Sequence, residues 1–338
     1  MCDSNRGMEE DKKAAGRIAF LGYGACFAAG CLWGTGFYWG RLALNEMSVE
    51  HMVLYRFLFA SLGMLPLVLI HRNRFRLNGR ETRLLLTCAF LGIPVQFLLQ
   101  FHGLARTTVS HASLMVGSMP VMLAVAGALL AARGAGEERM DPLGWLAVFV
   151  STIGAVLIVL GGSRGAAARG EPSLVGDLMV LASLVIALAW ILLSKKLMET
   201  RSPPVVTAYT ILTGTMMLAV WILSPLLLNP WLRNKVALPP FEHVSFTAWM
   251  ALAISGLLCT ATTTLLWNWG IHHVPASRAG IFLNLEPAVG SLLGVELLGE
   301  HLGPFAWLGG GLILAAAVAL TTCGPHPGSV SEPDIILE

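Results

Sequence analysis

The sequence predicts an all-α integral membrane protein, with ten transmembrane helices arranged as two inverted five-helix repeats. Three observations predict it. Of 338 residues, 55% are hydrophobic and only 12% charged, and the mean hydropathy is +0.70, so the chain is suited to a hydrocarbon solvent. Its apolar stretches run to about 20 residues rather than alternating over about 10, and hydrocarbon admits only helices or closed barrels, which leaves helices. Third, the stretch from Gly103, GLARTTVSHASLMVGSMPVM, returns from Gly270 as GIHHVPASRAGIFLNLEPAV. Gly103 pairs with Gly270, Ser110 with Ser277, Ala112 with Ala279 and Pro120 with Pro287, all at an offset of 167 residues.

Taken in order, residues 1–17 are hydrophilic and of mixed charge and form a cytoplasmic N-terminal segment. The first span, about 18–40, has no small-residue cleavage site before a mature domain, so it is retained. Spans at about 51–70, 83–102, 107–132 and 143–162 complete a first repeat, 18–162. A linker loop at 163–173 leads to a second repeat, 174–323, with spans at about 174–194, 204–227, 246–270, 278–299 and 303–323. The tail at 324–338 combines Gly, Pro, Ser and acids, a composition that favours disorder.

Further pairs extend the repeat. Trp33 matches Trp190 in the first and sixth spans, and Tyr55 matches Tyr209 in the second and seventh. Pro142, Trp145 and Leu146 match Pro304, Trp307 and Leu308 in the fifth and tenth. An odd number of spans per half forces the second half into the membrane upside down, related to the first by a two-fold axis in the membrane plane. With a cytoplasmic N-terminus, fifteen Lys and Arg collect on the inner side and six on the outer, with Arg56 inside a span. That bias puts both termini in the cytoplasm of a multi-pass protein of the cell (inner or plasma) membrane.

Two inverted halves can exchange conformations and so turn an inward-open cavity into an outward-open one, although duplication can also simply enlarge a bundle. The net charge of +2, with no basic patch interleaved with aromatics, argues against nucleic acid as a partner. Six scattered cysteines without C-x-x-C spacing read as small buried hydrophobes. His102, His111, His272 and His273 lie near span ends without metal-ligand spacing and read as solvated loop histidines, so neither metal nor cofactor is expected.

The chain resembles EamA-type members of the drug/metabolite transporter superfamily over nearly all of residues 18–323. The residues that carry the resemblance are LWGTGF at 32–37, YRF at 55–57, the Pro120 helix, GDL at 176–178 with Ala189 and Trp190, and LEPAVGSLLGVELLGE at 285–300. The resemblance implies ten helices in two inverted repeats and a secondary mechanism that moves small metabolites, commonly outward and commonly amino acids or drug-like organics.

Glu286 lies inside the ninth span, where an ionised carboxylate facing lipid would cost several kcal/mol, so it faces the interior, is protonated, or both. Its counterpart in the first half is Met119, and it is either a proton-coupling group or a neutral carboxyl bonded between helices. Glu300, about 21 Å further along an ideal helix, reads as a solvated or structural group. Pro120 and Pro287 each deny a hydrogen bond to a carbonyl, of Val116 and Leu283, and act as hinges or as structural kinks. Arg56, matched by Thr210, either binds a solute carboxylate bidentately, snorkels outward, or pairs with an internal acid. Gln96 and Gln100, with their counterparts Thr263 and Trp267, join Thr260, Thr264, Asn268, Trp33, Tyr38 and Trp190 as a candidate cavity lining. Interhelical hydrogen bonding and interfacial anchoring account for the same residues.

Small residues four apart, at Gly30 and Gly34, Gly36 and Gly40, and Gly290 and Gly294, allow close helix packing within the bundle or between protomers, so an oligomer stays open. The expected partners are a small-molecule solute, the lipid bilayer and protons. The rival classes are an intramembrane enzyme and a non-transporting assembly partner. The first lacks a recognisable constellation, since Asp177 and Glu286 form no dyad motif and neither G-x-S-x-G nor a P-loop occurs. The second would be sensitive to mutation mainly on its outer face.

Overall fold

The computed structural model describes residues 2–71, 77–132, 142–161, 172–228, 243–273 and 280–323. The linker up to residue 171, the tail 324–338, and Ser277 and Ala279 of the repeat lie outside the described residues. The described chain is a bundle of apolar helices. Six helical stretches are long and apolar enough to cross a membrane, and shorter apolar ones cover Val109–Leu123, Pro142–Ile158 and Pro304–Ala319. It is a multi-pass membrane protein.

Helix α1 (Cys2–Leu44) takes in the hydrophilic N-terminal segment as well as the first span, and α2 (Val49–His71) follows. The third span is α3 (Gly79–Phe90), a π-helical segment Leu91–Val95, and α4 (Gln96–Leu104). The stretch read as the fourth span is split into α5 (Val109–Val116) and α6 (Met119–Ala132), and that read as the fifth is α7 (Pro142–Gly161). Next come α8 (Leu174–Met198) and α9 (Pro203–Leu228). The stretch read as the eighth span is α10 (Phe246–Ala253), a π segment Ile254–Thr262, and α11 (Thr263–His273). A 3₁₀ turn Gly280–Asn284 leads into α12 (Leu285–Leu298), and α13 (Pro304–Cys323) ends the described chain.

Helix starts follow from local chemistry. Asn78 caps α3 by accepting from the amides of Arg80 and Glu81 at 3.0 and 2.8 Å, while Glu81 accepts from the Asn78 amide at 2.9 Å, a full capping box. Thr108, Ser173 and Ser245 cap α5, α8 and α10 in the same way. Arg201 donates to the same Glu81 carboxylate at 3.0 Å. Hydrogen bonds from the Ser245 hydroxyl, then from its amide, hold Glu46, between α1 and α2, below the usual carboxylate range. Gly299, at φ 64°, takes the left-handed conformation that ends α12.

The two prolines do something other than kink a continuous helix. Pro120 is the second residue of α6 and Pro287 the third of α12, so each stands in a first turn, where the missing N–H costs no helical bond. The chain breaks just before them, at Gly117–Ser118 and at the end of the 3₁₀ turn on Asn284. At the offset of 167 these breaks coincide, and the first π segment maps onto 258–262 within the second. The hydroxyls of Thr260 and Thr263 reach back five residues to the carbonyls of Ser255 and Leu258, at 3.0 and 2.6 Å, and satisfy acceptors that the wider turn leaves strained.

Helix pairs approach closely where glycines face each other. Gly154 of α7 and Gly309 of α13 lie against one another's backbones, with Ile158 and Ile313 beside them, and these two helices pack along their length. Along α1, Gly34 faces the carbonyl of Glu286 and Val289 on α12; an added Cβ would sit 2.7 Å from each. Gly34→Ala is therefore expected to push α1 off α12 at a cost of about 1–3 kcal/mol, seen as a lower melting temperature of purified protein. Gly24→Ala, whose added carbon meets nothing within 4 Å, is the control. Equal melting of the two variants would show that the α1–α12 seam is not tight.

Candidate functional site

Arg56 is the centre of the site. It sits on α2 between the π segment of the eighth span and α4, and is only 6% exposed. Its guanidinium carbon lies 5.4 Å from the Phe97 ring centroid and 5.2 Å from that of Phe101, an arrangement that offsets part of the cost of burying a cation. Nε and Nη2 donate to the Thr260 hydroxyl at the long distances of 3.4 and 3.3 Å, and Nη1 makes no hydrogen bond among the described residues. Gly36 of α1 leaves the room: a Cβ there would come within 3.6 Å of Nη2 and 3.7 Å of the Cys259 Cβ. Cys259 itself is bonded to the Thr35 hydroxyl at 3.1 Å.

Glu286 is half-buried in the first turn of α12, where the helix dipole favours a carboxylate. Among the described residues, no ion pair or hydrogen bond joins it to Arg56. Of the three readings of Arg56, outward snorkelling is the one its burial opposes. What the arrangement offers is a desolvated cation with free donors, held by rings on one side, and an acid at a distance.

Trp33 of α1 and Trp267 of α11 come together, their ring centroids 5.4 Å apart. The residues that the sequence pairs with them, Trp190 and Gln100, lie on α8 and α4, two helices that pack together. Trp190 lies over Gly92, where an added Cβ would sit 2.8 Å from the indole ring. Gln96, one turn on, is 6% exposed, and neither its Oε1 nor the Trp190 Nε1 finds a partner among the described residues. Thr263 is fully buried, and its hydroxyl is committed to the Leu258 carbonyl, so it supports the π segment rather than lining a cavity. Thr264 likewise bonds the Thr260 carbonyl, at 2.7 Å. Asn268 keeps a buried Nδ2 without a partner among the described residues. Tyr38 stands against Trp39, one turn beyond Gly34, with ring centroids 5.0 Å apart, and among the described residues makes no hydrogen bond into the Arg56 group.

Sequence reasoning missed Phe97 and Phe101, although their spacing of four signals one helical face beside the Gln96 and Gln100 face. It also misread His111, which is buried rather than solvated, at 1% exposure, with Asp177, at 0%, as its partner. Glu300, read as solvated or structural, accepts from the Val109 and Ser110 amides at 2.7 and 2.8 Å, which is the structural role. An apolar cleft of about 310 Å³ lies between α6, α7 and α8, lined by residues such as Met122, Val148 and Leu181. It carries no charged side chain and none of the Arg56 group. Among the described residues, no three His, Cys, Asp or Glu side chains gather as metal ligands.

A sequence model described as the EamA-like transporter family matches residues 20–160 and 174–322. The chain belongs to the EamA-like transporter family. Among its EamA-like relatives, an uncharacterized transporter of Archaeoglobus fulgidus is 25% identical over 296 residues, covering 87% of this chain and 95% of its own. The uncharacterized transporter YyaM of Bacillus subtilis is 23% identical over 285 residues, covering 83% and 87%. One solved crystal structure shares the fold of this EamA-like protein at a TM-score of 0.58 and 18% identity, covering 91% of this chain and 97% of its own.

Proposed function

We propose that this EamA-like protein is a secondary transporter that exports small organic solutes bearing a carboxylate, such as amino acids, by alternating access between two inverted five-span halves. The observation that carries the reading is Arg56, a buried guanidinium held by Phe97, Phe101 and a long Thr260 contact, with donors to spare. A buried cation that is not fully bonded is held ready for an anion, and a planar fork fits a carboxylate at two points. Trp33, Trp190, Trp267, Gln96 and Gln100 supply apolar faces and polar tips for the rest of the solute, with Tyr38 at the margin and Thr263 behind them, supporting the π segment. Glu286 is the group through which protons couple.

The inverted repeat, 18–162 against 174–323, is supported by the two successive family matches and by the coincidence of π segments and helix breaks at one offset. Each half would then bring a broken helix and a widened helix to mid-membrane, and exchange of conformation would carry the Arg56 space from one side to the other. Purified protein in vesicles, scanned across amino acids and amphipathic organics, tests the function. Absence of movement for every member of the panel, with folded protein in the bilayer, would sink it.

The fifteen-to-six charge bias supports both termini in the cytoplasm, which topology reporters test. Fused after Arg76 and after Arg233, they should report opposite sides of the membrane. Signals from the same side would remove the inverted arrangement.

A further inference from the structure

The apolar cleft between α6, α7 and α8 takes no part in the Arg56 group, and the pairing of the two halves explains its presence. Gly103 of α4 packs on Gly176 and Val180 of α8, while Gly270 of α11 packs on Gly22 and Cys26 of α1. With Gly103 matched to Gly270, these contacts pair α1 with α8 at an offset of 154, the offset of Tyr55 and Tyr209 and three residues short of that of Trp33 and Trp190. Gly30 and Gly34 of α1 then stand where α8 carries Leu184 and Leu188, and α12 stands where the first half has α6. In the second half the seam is shut, because Gly30 and Gly34 bring the α1 backbone against Phe282, Glu286 and Val289. Leucine in place of glycine keeps two helix axes further apart, and Leu188 forms one wall of the cleft.

The cleft runs from Ser118, at the break before α6, to Leu129, about 16 Å along the helix. Its 310 Å³ spread over that length leaves a section of about 20 Å², the girth of one extended hydrocarbon chain. Nothing in it asks for a polar occupant. The hydroxyls of Ser118 and Thr152 donate to the carbonyls of Met115 and Val148, each at 2.7 Å, and apart from Ser151 the other walls are aliphatic or Met. Such a space does not hold water, and left empty it would forfeit dispersion contacts along every wall. It opens on the surface that the bilayer covers: Leu129, 56% exposed, forms its rim, and the exposed Phe149 and Ile153 of α7 and Val185 of α8 lie beside it.

We propose that this cleft holds one acyl chain of a bilayer lipid, drawn from the leaflet at the Leu129 end, with the tip of the chain reaching the break between α5 and α6. Lipid tails are as apolar as the walls, so the chain is held by fit and not by a hydrophobic drive. The occupant continues the lipid contact that the outer faces of α7 and α8 already make. The proposal rests on the pairing of the two halves and on no property of the solute site.

Phosphatidylcholine carrying a diazirine in mid-chain, mixed into both leaflets of vesicles that hold the full-length protein and then photolysed, reads the site by peptide mass spectrometry. The reference is 285–296 of α12, the counterpart of 118–129, where Leu292 is exposed to lipid but the seam is shut. Label on 118–129 should exceed label on the reference by about three- to tenfold, since a fitted chain gains contacts that a bulk chain lacks. Ala126→Leu and Ala155→Leu each put a side chain into the cleft and should bring the ratio near one, with the melting temperature of the purified protein kept or raised. A ratio near one in the parent, or an unchanged ratio in both folded variants, overturns the proposal. Loss of label from 118–129 but not from the reference on adding an amphipathic organic solute would give the cleft to the solute and overturn it as well. If neither variant folds, the ratio in the parent alone decides. No transport is measured, so failure of the Arg56 solute site and failure of the lipid site are told apart.

Discussion

Arg56→Ala is expected to lower movement of carboxylate-bearing solutes by about 10- to 100-fold per folded molecule, the range that loss of a charge-assisted hydrogen-bonding group gives. The yield of folded protein should change little. Among the described residues the guanidinium has no ion-pair partner to orphan, and its hydrogen bonds go to the Thr260 hydroxyl alone. Its loss removes two cation–ring contacts and one long bond to Thr260, whose own hydroxyl keeps the Ser255 carbonyl. Arg56→Lys keeps the charge but loses the planar fork that lies on Phe97 and Phe101, so it should recover only part of the transport. Neutral amphipathic solutes should be affected least. Vesicle transport normalised to folded protein is the measurement. A collapse in yield with normal transport per molecule would make Arg56 a structural cation, and the solute role would be abandoned.

Glu286→Gln is the second large effect. An acid inside the membrane carries its negative charge at a cost of several kcal/mol, so its proton occupancy differs between a state in which water reaches it and one in which it does not. That difference is what a proton-coupled carrier needs. Glutamine keeps the shape of the protonated acid in the first turn of α12 and cannot exchange the proton. Solute binding and solute exchange should therefore survive, and acceleration by a pH gradient should be lost. The same vesicles report it, with and without an imposed gradient. A variant that responds like the parent would show that Glu286 is not the coupling group; a parent indifferent to the gradient would leave facilitated diffusion.

The spans could be read because lipid makes hydropathy a nearly local property. The stretch read at 51–70 is helical over Val49–His71, that at 204–227 over Pro203–Leu228, and that at 303–323 over Pro304–Cys323. What could not be read depends on partners far along the chain or on alternatives of similar energy. A proline tolerates the first turn of a helix as readily as it kinks one, so Pro120 and Pro287 alone do not say that the chain stops before them. A π segment leaves no periodicity in a run that is apolar all round, which is why 83–102 and 246–270 read as plain helices. His111 looked like a loop histidine because the residue that buries it, Asp177, is 66 positions away. Arg56 stood out from its sequence alone, since a cation inside a span has few ways to exist, but the rings that hold it did not.

The two π segments give the third and eighth helices an adjustable rotation. A π turn stores one residue more than an α turn, and that surplus can migrate along a helix without breaking it. Passing it across a side chain turns that side chain by about 100° about the helix axis, the angle one residue subtends in an α-helix. In α4, such a step would exchange the face that presents Gln96 and Gln100 for the neighbouring face that presents Phe97 and Phe101. The wall around Arg56 would change from aromatic to amide with no movement of the helix axis, so the contents of the central space can be altered by winding alone.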